Sequence, residues 1–260
     1  MRLHFKQFGT GAPLVLLHGL FGSHENWIPI SKRLGDRYEV YAVDQRNHGR
    51  SPHDPKMDYP LMAEDLREFM DDHGIPNAHV MGHSMGGKTA MRFAAQHGDR
   101  IDRLIIADIA PREYPAAHDE ILEALSSLHL PSFETRTQIE EWLEPAIPSL
   151  QVRRFLLKNL RRTPAGGLQW RFNLPALREN YSELHKALHI HKPCMTPALF
   201  IRGGNSNYIR DEDAIEIRRL FPQSEVRVIP GASHWLHVEA PDLFVQFVFD
   251  FLEAKTIAQH

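Results

Sequence analysis

Residues 79–90 read H-V-M-G-H-S-M-G-G-K-T-A, with Ser84 set between Gly82 and Gly86. Residues 77–81 (N-A-H-V-M) suit a short strand, and from Met85 to His97 the apolar residues Ala90, Met91, Ala94 and Ala95 fall at helical spacing. A serine hydroxyl is a weak nucleophile at its free pKa, so a fold that uses one must hold it exposed beside a base. A strand-to-helix turn flanked by glycines does the first of these, because strand end and helix start crowd together there. The bland alternative is a serine that only caps a helix. The strand before and the helix after favour the nucleophile.

Outward from this turn the chain reads as an α/β protein. Residues 2–8 suit a half-exposed strand, and Leu14 to Leu17 is apolar without alternation, as in a strand covered on both faces. That run enters His18-Gly19-Leu20-Phe21-Gly22 at a strand's carboxyl end, where open α/β sheets bind ligands, and its backbone N–H groups are candidates for an oxyanion hole. Tyr38 to Val43 is a third strand leading into D-Q-R-N-H-G-R-S (44–51). Tyr59 to His73 is an amphipathic helix stopped by Gly74, and Leu104 to Ile106 is a buried strand ending at Asp108. This alternation predicts a mostly parallel sheet flanked by helices. From Arg112 to about His191 the pattern turns helical over Ile121–Leu128, Ile139–Leu143, Val152–Leu160 and Leu174–Leu184, which reads as an inserted all-helical cap. Strands resume at Ala198–Ile201 and Val226–Ile229, with a helix from Asp211 to Leu220 between them and a last helix from Pro241 to Ala254. The expected organisation is a first core segment over 1–111, a helical cap over 112–191 and a second core segment over 192–260.

Composition narrows the function classes. Lys and Arg number 30 against 33 Asp and Glu, a formal charge of −3, so no basic field exists to draw nucleic acid or an anionic membrane. Cys194 is the single cysteine, which excludes an internal disulfide and cysteine-rich metal sites and reads as a packed residue in a reducing compartment. With no signal-like apolar run at the start and none of ~18 residues anywhere, the sequence suggests a soluble, cytoplasmic protein. The 17 histidines include no H-E-x-x-H and no carboxylate–histidine spacing typical of metal ligands, so neither metal nor cofactor is expected and most histidines are assigned to the surface. Arg153, Arg154, Lys158, Arg161 and Arg162 make a basic face on a cap helix. It reads as a solvated face in preference to a dock for the phosphates of an anionic carrier.

The H-G-L-F-G loop (18–22), the G-H-S-M-G turn (82–86) and G-A-S-H-W-L-H-V-E-A-P (231–241) together resemble the α/β-hydrolases, over roughly Leu3 to Leu252 and in that family's order of serine, acid, histidine. D-Q-R-N-H-G-R-S, D-I-A-P (108–111) and W-R-F-N-L-P (170–175) further resemble small bacterial serine carboxylesterases with a helical cap. The resemblance implies His234 as general base, with His237 and His18 as hydrogen-bonded structural histidines. It implies oxyanion donors at the backbone of Met85 and Leu20, with Phe21 the alternate. The family's commonest acid position falls on Ser206, in R-G-G-N-S-N-Y (202–208), and a hydroxyl cannot balance an imidazolium. Asp211 reads as a helix cap. Asp108 is therefore assigned as the acid, since some members keep theirs after that strand, with Ser206 a second partner for the His234 ring. The implied chemistry is acyl-enzyme hydrolysis of a small-molecule ester, without cofactor, with short-to-medium acyl chains held by cap residues such as Leu122, Leu125, Leu156 and Phe172. A serine at 84 argues against dehalogenase and epoxide-hydrolase chemistry, which needs a carboxylate nucleophile. Thioester or carbon–carbon bond cleavage on the same triad, and a non-catalytic ligand-binding protein, stay open, as does the oligomeric state.

Overall fold

The computed structural model describes residues 1–164 and 166–254. The strands are β1 (Phe5–Phe8), β2 (Ala12–Leu17), β3 (Tyr38–Val43), β4 (Ala78–His83), β5 (Ile101–Ala107), β6 (Leu160–Arg162), β7 (Leu168–Trp170), β8 (Ala198–Gly203) and β9 (Ser224–Ile229). Seven of them form one sheet in the order β1-β3-β2-β4-β5-β8-β9. Only β1 runs antiparallel to its neighbour. Leu14 to Leu17 and Leu104 to Ala107 are fully buried, so the lack of alternation in those runs reflects cover on both faces.

The helices are α1 (Ile28–Leu34), α2 (Tyr59–Asp72), α3 (Met85–Gln96), α4 (Asp119–Ser127), α5 (Arg136–Leu143), α6 (Leu150–Leu157), α7 (Leu174–Glu179), α8 (Tyr181–His185), α9 (Asp213–Leu220), α10 (Leu236–Glu239) and α11 (Pro241–Glu253). Met62, Leu66 and Phe69 of α2 join Met91 and Phe93 of α3 in the core on one sheet face. Ile30 and Leu34 of α1 join Phe244 and Val248 of α11 on the other. Register then fixes what the sheet edge presents. Gly82 of β4 lies level with Leu17 of β2 and Ile106 of β5, and Ile106 lies level with Phe200 of β8. The loops that follow these strands, carrying His18, Ser84 and Asp108, therefore leave the sheet side by side.

The segment between β5 and β8 departs from the all-helical expectation. β6 and β7 pair antiparallel, with Leu160 opposite Trp170, where a helix to Leu160 was predicted. That helix stops at Leu157, with Lys158 as its C-cap, and Asn159 turns away to bond the core (below). Asp211 is not a helix cap: α9 starts at Asp213, and Asp211 is exposed and ion-paired to Arg202 at 2.6 Å. Residues 255–260, assigned from sequence to the second core segment, lie outside the described residues.

At the centre, Ser84 sits at φ 52°, ψ −119°. A non-glycine residue there costs about 1–3 kcal/mol, tolerated only where the surroundings over-determine the backbone. They do so here by close approach. A Cβ on Gly82 would lie 2.1 Å from the Gly86 carbonyl oxygen, and one on Gly86 would lie 2.4 Å from that of Leu17. Ser84 N–H also donates to the Ala107 carbonyl at 3.1 Å, tying the turn to β5. Gly86→Ala should therefore separate β2 from α3 and cost several kcal/mol. The expected outcome is a clearly lowered Tm or insoluble protein, and a thermal melt matching the parent would show that the turn has room the structure denies it.

Candidate active site

Asp108 follows β5 at φ 52°, wholly buried, with its N–H donating to Ile201 at 2.8 Å. Its Oδ1 accepts the Gly203 N–H at 3.0 Å, and its Oδ2 accepts the Ser206 hydroxyl and lies 2.8 Å from Nδ1 of His234. Three donors thus converge on one carboxylate, which is how a buried charge is made tolerable. The Ser206 oxygen in turn accepts the Tyr208 N–H at 3.2 Å. Ser206 meets Asp108, and no hydrogen bond from its side chain to the His234 ring is found among the described residues.

Two further contacts hold His234. The Tyr208 ring stacks on the imidazole, with centroids 3.7 Å apart and planes 16° from parallel. The His234 carbonyl accepts from Nε2 of His83 at 2.9 Å, and burial holds the His83 ring neutral by lowering its pKa well below 6.5. The preceding loop is tied by Glu239, which accepts the Ser233 N–H at 2.6 Å.

The loop at 18–22 is fixed by two buried, neutral histidines. Burial lowers His18 and takes His48 to about 3. His18 donates from Nδ1 to the Gly19 carbonyl at 2.8 Å and accepts the Gln45 N–H on Nε2 at 3.0 Å. His48 donates from Nδ1 to the Arg46 carbonyl at 2.9 Å and accepts the Phe21 N–H on Nε2 at 3.2 Å. The Phe21 donor is therefore occupied, whereas the N–H groups of Leu20 and Met85 have no acceptor among the described residues. The Phe21 carbonyl accepts from Asn159 of the inserted segment at 2.7 Å.

Ser84 and His234 open into a cavity of about 990 Å³. Its apolar wall comes from Ile121 of α4, Val152, Phe155 and Leu156 of α6, and Trp235. Of the four acyl-pocket residues expected from sequence only Leu156 lines it. Leu122 and Leu125 point into the interior instead, and Phe172 stacks on Trp170 at 5.0 Å. A second cavity, about 220 Å³, also reaches Ser84 and contains Lys88, which burial, with Arg112 adding, lowers to about 7.

The basic cap face splits. Arg154 and Lys158 border the large cavity, while Arg153 is buried, donating to the carbonyls of Ile147 at 2.8 Å and Pro148 at 2.9 Å. His4, His24 and Asp44, distant in sequence, bring possible metal-ligating atoms within 4.8 Å of one another. Burial would raise Asp44, but bonds from the ring and backbone N–H of His24 outweigh it and hold the carboxyl at about 2. Arg50 N–H takes the other oxygen at 2.9 Å, so the group reads as a loop anchor.

A family model described as the alpha/beta hydrolase fold matches residues 12–241. The chain belongs to the α/β-hydrolase fold family. It is 40% identical over 245 residues to the esterase YbfF of Escherichia coli (strain K12), covering 94% of each chain. It is 36% identical to the sn-1-specific diacylglycerol lipase ABHD11 of Mus musculus, over 92% of this chain and 80% of that one. A marine microorganism esterase of solved structure superposes with a TM-score of 0.94 at 43% identity, over 96% of this chain and 99% of its own. The protein is an esterase-type hydrolase of this family. No described helix is long and apolar enough to cross a membrane.

Sequence reasoning passed over His83, Lys88, His118 and Tyr208. Lys88 alone left a signal, a lysine one helical turn after Ser84 in a run of small and apolar residues. Most histidines were assigned to the surface, with His18 and His237 read as structural; the buried ones are His18, His24, His48, His83 and His237, so His24, His48 and His83 are the interior rings that reading did not single out. Nor is His237 hydrogen-bonded at Nδ1. It is held by packing on Trp27, ring centroids 4.7 Å apart.

These rings make the fold acid-sensitive. Burial, aided by other histidines nearby, holds His48 at about 3, His118 at about 4 and His237 at about 3. Unfolded, each would titrate near 6.5, at about the free value. Between the folded values and 6.5 the unfolded chain binds more protons, so stability is full above 6.5 and is lost as pH falls through that window. Tm should drop by roughly 5 °C or more from pH 7 to pH 5. An unchanged Tm over that interval would mean the rings are not buried in neutral form.

Proposed function

We propose that the protein is a serine carboxylesterase that hydrolyses short-to-medium acyl esters through Ser84, His234 and Asp108. The observation that carries this reading is the 2.8 Å approach of Asp108 Oδ2 to His234 Nδ1, with both groups at the sheet edge that bears Ser84. In this mechanism the ester carbonyl enters from the large cavity and Ser84 Oγ attacks it while His234 Nε2 takes the proton. Asp108 fixes the tautomer with the proton on Nδ1 and stabilises the imidazolium. The tetrahedral oxyanion is received by the N–H groups of Met85 and Leu20, each worth about 3 kcal/mol. His234 then protonates the leaving alcohol, and water activated by the same imidazole releases the acid. Ser206 is a positioning residue that acts through Asp108, and Tyr208 restrains the His234 ring. The segment 112–191 serves as a cap that sets substrate choice. A cytoplasmic setting is inferred from the lone Cys194.

A second reading, hydrolysis of acyl thioesters on an anionic carrier, is supported by Arg154 and Lys158 at the edge of the large cavity. A nitrophenyl-ester series run against acyl-CoAs of equal chain length separates the two by kcat/KM.

Ser84→Ala should fold normally, lose fluorophosphonate labelling and lose ester turnover by several orders of magnitude. Turnover near the parent's would end the serine mechanism. Asp108→Asn should cost about 10³–10⁴ in kcat, whereas Ser206→Ala, which removes one hydrogen bond, should cost about tenfold or less. Asp211→Asn should leave kcat within about twofold, as a surface change. A larger loss for Asp211→Asn than for Asp108→Asn would overturn the assignment of the acid. The pocket assignment is tested by Ile121→Trp and Val152→Phe, which should shorten the preferred acyl chain while fluorophosphonate labelling persists. An unchanged chain-length profile would place the acyl group elsewhere.

A further inference from the structure

The small cavity has a cationic lining. Lys88, Arg112 and Arg210 line it, and no aspartate or glutamate does. The two arginines are already matched, Arg112 to Asp213 at 3.0 Å and Arg210 to Glu212 at 3.1 Å. Lys88 is not. Its side chain is 1% exposed, and its Nζ donates to the backbone carbonyls of Lys186 at 2.5 Å and His185 at 3.4 Å. The rings of Tyr114 and Tyr59 flank the ammonium, with centroids at 4.9 and 5.6 Å. Among the described residues no carboxylate lies within ion-pair distance of it. Glu113 acts on it only from beyond ion-pair distance, so the charged form is costly, carbonyl oxygens relieve only part of that cost, and a carboxylate bound beside Nζ would favour the ammonium. The nearby tyrosine hydroxyls are committed elsewhere, that of Tyr59 to the Leu184 carbonyl at 2.6 Å and that of Tyr181 to His118 at 2.9 Å.

Position adds the second half of the argument. Lys88 stands four residues after Ser84 on α3, about 6 Å along a helix axis. The same cavity contains Ser84 and Met85, so a group bonded to the attacked carbonyl, or to its ester oxygen, reaches Lys88 through only a few methylenes. The large cavity, bordered by Arg154 and Lys158 at its edge, has an extended apolar wall and room for a longer chain.

We infer that the small cavity is a subsite for a short, carboxylate-bearing arm of the ester and that Lys88 is its specificity-determining cation. The substrate class is then an ester with one longer apolar arm and one short anionic arm. The anionic arm is either the acyl side, as in a hemiester of a dicarboxylic acid, or the alcohol side, as in an acylated hydroxy acid. This inference rests on the serine-esterase reading of Ser84.

The test compares four esters: monohexyl succinate, the hexanoyl ester of 3-hydroxypropionate, and the methyl-capped neutral form of each. For the arm that uses Lys88, kcat/KM of the acid should exceed that of its neutral counterpart by about tenfold or more, the usual range for a charge-assisted hydrogen bond. Which pair shows the preference identifies the arm. Lys88→Met should bring that ratio close to one, with Tm checked because Lys88 also holds the carbonyls of residues 185 and 186. A direct measurement does not depend on that variant folding: free succinate should bind the Ser84→Ala protein by calorimetry and compete with neutral esters on the parent. Neutral esters turned over as fast as their acids, with no binding of succinate at tens of millimolar, would overturn the subsite and leave the esterase reading intact. Succinate binding without turnover of any ester would overturn the esterase reading and keep the subsite.

Discussion

The crossing of β4 and α3 against the end of β2 is the constraint from which the rest of the site follows. Ser84 holds a positive φ because there is no space for the turn to relax: side chains at Gly82 or Gly86 would overlap the backbone of Gly86 and Leu17. Strain stored this way persists only if the sheet itself is rigid. The sheet supplies that rigidity through strands buried on both faces and a register that sets Leu17, Gly82 and Ile106 level. One close approach thus decides where the Ser84 side chain projects and which neighbouring loops it meets.

Asp108 illustrates how such a frame can hold a buried carboxylate. The loop after β8 carries no carboxylate until Asp211, which turns outward to Arg202. It nonetheless reaches back to β5, offering the Gly203 N–H and the Ser206 hydroxyl to Asp108. A carboxylate buried without such donors would protonate or destabilise the fold, and here both its oxygens are engaged before His234 is counted. The hydroxyl at 206 and the carboxylate at 108 therefore work as one unit. The hydroxyl supports the anion, and the anion faces the imidazole.

How far the sequence reveals this depends on the range of the interaction concerned. Unalternating runs such as Leu14–Leu17 and a glycine-flanked serine are local signals, and the sheet and the turn are legible from them. The β6–β7 hairpin was missed because three-residue strands carry no periodicity, and Pro164 was taken for punctuation between helices. The pocket wall was misassigned by one position on α4, where Ile121 faces the cavity and Leu122 the interior. Both are apolar, so pattern alone could not orient the helix. The Tyr208–His234 stack and the burial of His18 and His48 arise from loops that meet only in the folded chain, and no spacing encodes them.

The inserted segment is bound to the same loops that shape the site, so its placement and the site geometry cannot vary independently. Asn159 bonds the Phe21 carbonyl, the Asn173 N–H donates to the Asn47 carbonyl at 2.8 Å, Arg171 pairs with Glu25 at 2.5 Å, and Lys88 reaches across to Lys186. Each bond adds only about 0.5–1.5 kcal/mol in net terms, far less than the apolar surface the insertion buries. Their effect lies in direction. Apolar packing would let the insertion slide over the core, whereas these bonds accept one position, because a shift that broke them would leave the Asn159 amide and the Lys88 ammonium buried and unpaired. The cavity that opens at Ser84 is bounded above by α4 and α6 and below by a loop that Asn159 itself holds. Its shape is consequently tied to the same few polar contacts that hold the loop carrying Leu20 beside Ser84, so that on the proposed mechanism the choice of substrate would be coupled to the geometry of the oxyanion donors.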